Sequence, residues 1–320
     1  MLKRVILMAA VAASAATVLV MPGTASARLG ACDRHVDAPA DLNARFRKAP
    51  KGAVICLSGT FRINAPLVPR DGQVIRGPAA IVNGGGVEDG FFLGDASHVT
   101  IAGLDISGFT SRGVRCGPYT RLLRSSLHHN RQNGVGCQLD NRGGSHIVIA
   151  SNEVYANGDP SIEGHTAGGM KFVRTGAPGD RAGSSVTLRR NKVWGNIGNG
   201  IWFDINSAGD LIARNEVWNN TRNGIRYEIS AGPAIIRRNV VFRNDWYGIW
   251  ITSSAKVVVR ENVVVRNGRG DIVVVSDERA RLRFPDLGGS HDGYKIRNIK
   301  VLRNTVARKL VGCSLENVSC

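Results

Sequence analysis

The chain has 320 residues, with 42 Lys or Arg against 25 Asp or Glu, for a formal net charge of +17. Hydrophobic residues make up 43%, which excludes a disordered chain and supports a packed core. Beyond the N-terminal segment no stretch approaches the ~20 apolar residues of a membrane-crossing helix, so membrane insertion is not expected.

Residues 1–27 open with Lys3 and Arg4, continue through an apolar stretch from Val5 to Val20, and end on Ala25-Ser26-Ala27. A basic start, an apolar middle and an A-x-A site predict a secretory signal peptide and an exported mature chain. Residues 28–53 read as an N-terminal cap. Within it, Asp41 to Lys48 is expected to form a short helix that plugs the open end of a stack of strands. From residue 54 onward the signals are those of strands. Val54 to Leu57, Phe61 to Ile63 and Val74-Ile75 are apolar runs between Gly and Pro breaks.

A repeat then takes over. Asn191, Asn215, Asn239 and Asn262 recur at intervals of 24, 24 and 23 residues. Apolar residues come two positions later (Val193, Val217, Val241, Val264) and ten later (Ile201, Ile225, Ile249, Ile272). A second Asn comes at plus five: Asn196, Asn220, Asn244 and Asn267. Apolar and polar residues alternate over short runs, which is strand period, and no amphipathic helix separates the runs. A unit this short cannot bury its own apolar face, so its copies must stack. The prediction is an all-β, single-stranded parallel β-helix of roughly ten rungs over residues 54–320, in one domain and one copy. Stacked Asn side chains are expected to satisfy buried polar groups from rung to rung by donating to carbonyl groups.

Six cysteines in an exported chain favour pairing. Cys116 and Cys137 hold the same place in successive rungs, which lie ~4.8 Å apart, within disulfide reach. Cys32 is expected to pair with Cys56, and Cys313 with Cys320.

The chain resembles the right-handed parallel β-helix superfamily of pectate lyases, polygalacturonases and alginate-modifying enzymes. The resemblance runs from the segment Gly59 to Ile63 onward. It is nearest to uncharacterised secreted bacterial repeats that carry GG-x-KF, GIW-x-D and GI-x-x-EIS segments. Those segments are Gly168 to Phe172, Gly200 to Asp204 and Gly224 to Ser230 here. The resemblance implies a sugar polymer as substrate, but the reaction signatures of the named enzymes are absent, and fold does not fix reaction.

On the strand after each Gly, positions ten and twelve point inward, so eleven and thirteen point out. Position eleven reads Gly136, Lys171, Trp202, Arg226 and Trp250, and position thirteen reads Gln138, Val173, Asp204, Glu228 and Thr252. Two Trp on an outer face suggest an exposed sugar platform. Long insertions stretch the interval from Asn152 to Asn191 to 39 residues and from Asn262 to Asn304 to 42. They bring Glu163, His165, Asp180, Asp277, His291, Asp292 and Tyr294 toward this face, with His291 and Tyr294 as substrate contacts.

Two chemistries fit these residues. The main reading is a glycoside hydrolase, which would use Asp204 and Glu228 as its carboxylate pair, with Glu163 as a loop acid. A lyase would use Arg226 and Lys171 to neutralise a uronate carboxylate and abstract a proton, with His165 as an alternative base. Asp204 and Glu228 would then be available for Ca²⁺. No cofactor is needed for the hydrolase. A third possibility is a non-catalytic binder of cell-wall polysaccharide. The basic charge favours a polyanionic partner, without specific recognition of nucleic acid, or it merely solvates the outer faces.

Overall fold

The protein is described by a computed structural model over residues 30–138, 146–162, 166–175, 185–205, 207–230, 232–276, 296–308, 312 and 318–320. The expected leader lies outside these residues, and the chain from Ala31 onward is one compact unit.

The cap is part helix and part strand. The helix Leu42–Lys48 begins where Asp41 accepts a hydrogen bond from the Ala44 backbone N–H at 3.0 Å, which satisfies one of the open donors of its first turn. Its buried Leu42 and Phe46 join the core. The buried Gln73 amide donates to the Phe46 carbonyl at 2.9 Å and ties the end of the helix to a later rung. Ahead of the helix, Arg34–Asp37 pairs in parallel with Val54–Ile63. Pairing therefore begins inside residues 28–53.

Beyond the cap, the chain winds through about nine turns of short parallel strands, in register apart from a shift between Arg76 and Ala79. Ser185–Arg189, Lys192–Trp194 and Asn199–Asp204 make one turn, and Asp210–Ala213, Glu216–Trp218 and Ile225–Glu228 make the next. Leu188 faces Ile212, Val193 faces Val217, and Ile201 faces Ile225. Eight third strands, from Asp89–Phe92 to Gly270–Val275, form one continuous sheet. Their inward residues stack rung on rung, with the Phe172 and Phe203 rings 4.7 Å apart.

The turn after each first strand depends on asparagine. Asn215 Nδ2 donates to Asn239 Oδ1 at 3.0 Å and to the Leu188 carbonyl at 3.1 Å. Its Oδ1 accepts from both the backbone N–H and Nδ2 of Asn191, each at 3.0 Å. The amides therefore pair with each other as well as with backbone, where the sequence predicts pairing with carbonyls alone. A second column runs through Asn130, Asn157, Asn196, Asn220, Asn244 and Asn267.

The Cys32–Cys56 and Cys116–Cys137 disulfides are present, with Cα–Cα distances of 5.8 and 4.8 Å. Cys320 is also disulfide-bonded, while Cys313 lies outside the described residues.

Candidate functional site

Strand alternation sends Ile201 and Phe203 into the core and turns Trp202 and Asp204 the other way. Register then lines up Lys171, Trp202, Arg226 and Trp250 in one column, and Asp204 with Glu228 in the next. Cations and indoles alternate along the first column. Lys171 Nζ lies 3.7 Å from the centre of the Trp202 ring, and the Arg226 guanidinium lies 4.9 Å from Trp202 and 4.4 Å from Trp250. The carboxylates close the cluster: Asp204 is 3.4 Å from Lys171, Glu228 is 2.5 Å from Arg226, and Trp202 Nε1 donates to Glu228 at 3.1 Å.

This face is not the open platform expected of it. Trp202 is 3% exposed, and Arg226 and Glu228 are each 6% exposed, although none of the three belongs to the solenoid core. Lys171 and Arg226 cover the Trp202 ring, while Trp250 is half-buried with Arg226 over its ring. Asp204 and Glu228 are likewise held against cations. A carboxylate pair already neutralised by an ammonium and a guanidinium does not fit Ca²⁺, which is bound by oxygen ligands alone. Among the described residues no group of three or more His, Cys, Asp or Glu is arranged to hold a metal. Glu163, His165, Asp180, Asp277, His291, Asp292 and Tyr294 lie outside the described residues.

The opening lies one rung earlier in the same column. A cleft of about 140 Å³ is lined by Arg112, Arg115, Gln132, Gln138, Thr166 and Lys171, with Gly136 in its floor. Gly136 is in register with Arg115 on one side and Lys171 on the other, so the column loses a side chain between two cations. A Cβ at Gly136 would come within 2.4 Å of Arg112 Cδ, so glycine makes room for that arginine to lie across the strand. The groups around the cleft are fixed in place. Arg112 reaches Asp89 at 3.5 Å, Arg115 lies over the Phe92 ring at 4.8 Å, and Gln132 accepts from the Ser111 hydroxyl at 3.0 Å.

Burial tunes two of these groups. It pushes the Asp89 carboxyl up, against the opposing pull of Arg112 and Arg115. It pushes the Lys171 ammonium down toward neutrality, although Asp204 and Glu228 act to keep it charged. Of the described residues singled out from sequence as reactive or substrate-binding, Lys171 alone is among those lining the cleft. Sequence reasoning misses Arg112, Arg115, Gln132 and Gln138 as site residues. The available signal is Gly136, the single residue without a side chain in a column otherwise made of large ones.

Residues 82–284 match the family model described as right handed beta helix region. No curated protein matches the chain. Among solved structures, an alginate lyase from Paenibacillus sp. str. FPU-7 is similar over 90% of this chain and 99% of its own, at 15% identity and a TM-score of 0.61. Pectate lyase Pel9A matches over 91% and 79%, at 17% identity and 0.55. The periplasmic alginate epimerase AlgG matches over 90% and 84%, at 16% identity and 0.54. At these identities the likeness is one of fold. With the family model covering well over half of a chain that coils in parallel rungs, this protein belongs to the right-handed β-helix family.

Proposed function

We propose that the protein is an exported enzyme acting on a polyuronate, and that it abstracts the proton at C5 beside the uronate carboxylate. The observation that carries this reading is the cleft over Gly136, where Arg112 and Arg115 meet a lysine that burial pushes toward its neutral form. The two guanidiniums would pair with the carboxylate and stabilise the charge that develops on it as the proton leaves. Lys171 would be the base, a role favoured by the downward push of burial on its ammonium. In elimination, the C5–H electrons form the C4–C5 double bond, the C4–O4 bond breaks, and the departing oxygen takes up a proton. Alginate and pectate, named in three of the structural neighbours, are polyuronates, which supports this substrate class over a neutral glycan. The hydrolase alternative loses ground because Asp204 and Glu228 are buried and paired with cations. The disulfides support an oxidising, extracytoplasmic setting.

The test is a panel of polyuronates incubated in D₂O, read by ultraviolet absorbance for unsaturated ends and by NMR for deuterium at C5. Elimination gives the first signal and epimerisation the second. Lys171→Met should lower the rate by ~10²–10⁴ while leaving polymer binding intact. New reducing ends with neither signal would instead establish hydrolysis.

A further inference from the structure

At the turn between the first and second strands of each rung, the residue before the ladder position takes left-handed backbone angles. Arg124, Arg190, Arg214, Arg238 and Arg303 hold this place with φ of 48°, 56°, 57°, 54° and 53°. All five are exposed. Such angles suit glycine or asparagine and strain a longer side chain. The other turn of the rungs from Arg190 to Arg238 carries Gly195, Asn219 and Arg243, at φ 61°, 53° and 54°, so residue type there varies while the first turn keeps arginine. Arginine at the first turn is therefore not chosen for the backbone, and being exposed it is not chosen for packing.

Ion pairing does not account for it either. Arg238 meets Glu261 at 2.6 Å, but among the described residues Arg124, Arg190, Arg214 and Arg303 form no salt bridge. Each turn of the column is tied to the next. The Arg190 backbone N–H donates to the Ala213 carbonyl at 3.3 Å, and that of Arg214 to Arg237 at 3.1 Å. Rungs repeat at ~4.8 Å, so the cations form a line at that interval, interrupted by Ser151 and Glu261.

We propose that this arginine column is a second binding surface, separate from the cleft, which holds an acidic polysaccharide lengthwise along the solenoid. A polymer with one carboxylate on every pyranose ring offers charges in a row at close to the rung interval. Duplex DNA, with a charge every ~1.7 Å wound about its axis, matches that row poorly. The surface serves to retain long chains and needs no chemistry, so it stands whether or not the cleft is catalytic.

The test substitutes Arg190→Gly together with Arg214→Gly, changes that relieve the backbone and leave the fold intact. Binding of polymannuronate is measured at low salt in a Lys171→Met background, with neutral mannan as control. The double substitution should weaken polymannuronate binding tenfold or more and flatten its salt dependence, with the thermal midpoint held or raised. In the chain with native Lys171, turnover of short oligouronates should be unchanged by the two glycines. Unchanged polymannuronate affinity in the double variant would overturn the proposal. So would equally tight binding of single-stranded oligo-dT through the same arginines, which would make the column a general polyanion contact.

Discussion

Asp210 lies entirely inside the solenoid, where one carboxyl oxygen accepts from the Val186 backbone N–H at 3.1 Å and the other lies 3.1 Å from the Tyr227 hydroxyl oxygen. Tyr227 donates to the Ser207 carbonyl at 3.0 Å. Burial pushes the Asp210 carboxyl well above its ordinary range and the Tyr227 phenol well above its own. A neutral network satisfies every atom here: the carboxyl proton goes to the Tyr227 oxygen and the phenol proton to Ser207. An acid whose pKa is raised on folding contributes its full stability below the ordinary carboxyl value of ~3.9, and the contribution is lost as the pH climbs toward the raised one. Stability should therefore fall as the pH climbs above about 4, by up to ~1.4 kcal/mol per unit from this residue. Asp210→Asn should remove that part of the slope. Urea midpoints across the pH range for both proteins check it, and identical slopes would mean that Asp210 ionises in place.

The asparagine ladder is the element that fixes the rungs, and its members are not equivalent. Removing the Asn215 side chain strands the Asn191 donors and the Leu188 carbonyl in a buried column. Unmet buried polar groups cost ~1–3 kcal/mol each, so Asn215→Ala should cost ~3 kcal/mol or more in urea unfolding. Asn304 ends the column and is half-buried, so Asn304→Ala should cost less, ~1 kcal/mol. Equal losses would show that burial does not set the cost. The second ladder ends differently. Asp271 accepts from Asn267 and from the Ala307 and Arg308 backbone N–H groups, a set of donors that calls for an acceptor-only side chain. This element is legible in sequence because the same polar residue must recur wherever the same turn does. The inward positions and the Cys116–Cys137 disulfide derive from the rung register. The cleft is not legible, because strand alternation tells which side of a sheet a residue faces but not whether that side is open. Trp202 and Arg226 point outward and are nonetheless buried, while Gly136 marks the opening by having no side chain.

The unit from Ala31 onward is a stack in which each rung touches the rung before and the rung after, and its stability is close to a sum of neighbour terms. Local damage should therefore have different reach at an end than in the middle. The Cys32–Cys56 disulfide spans 24 residues and ties the strand Arg34–Asp37 and the capping helix to the first full rung. A loop of that size contributes ~3 kcal/mol through chain entropy. Removing the bond by Cys32→Ser and Cys56→Ser takes that stabilisation mainly from the end segment, whose outer edge pairs with no further rung among the described residues. Hydrogen exchange should show faster opening from Arg34 through Ile63, with the ladder rungs from Asn152 to Asn262 still protected. Asn215→Ala sits between neighbours on both sides, and it should lower protection in the rungs on either side together. If breaking the terminal disulfide exposed all rungs equally, the solenoid would be unfolding as one cooperative block, and the neighbour-by-neighbour account of its stability would fail.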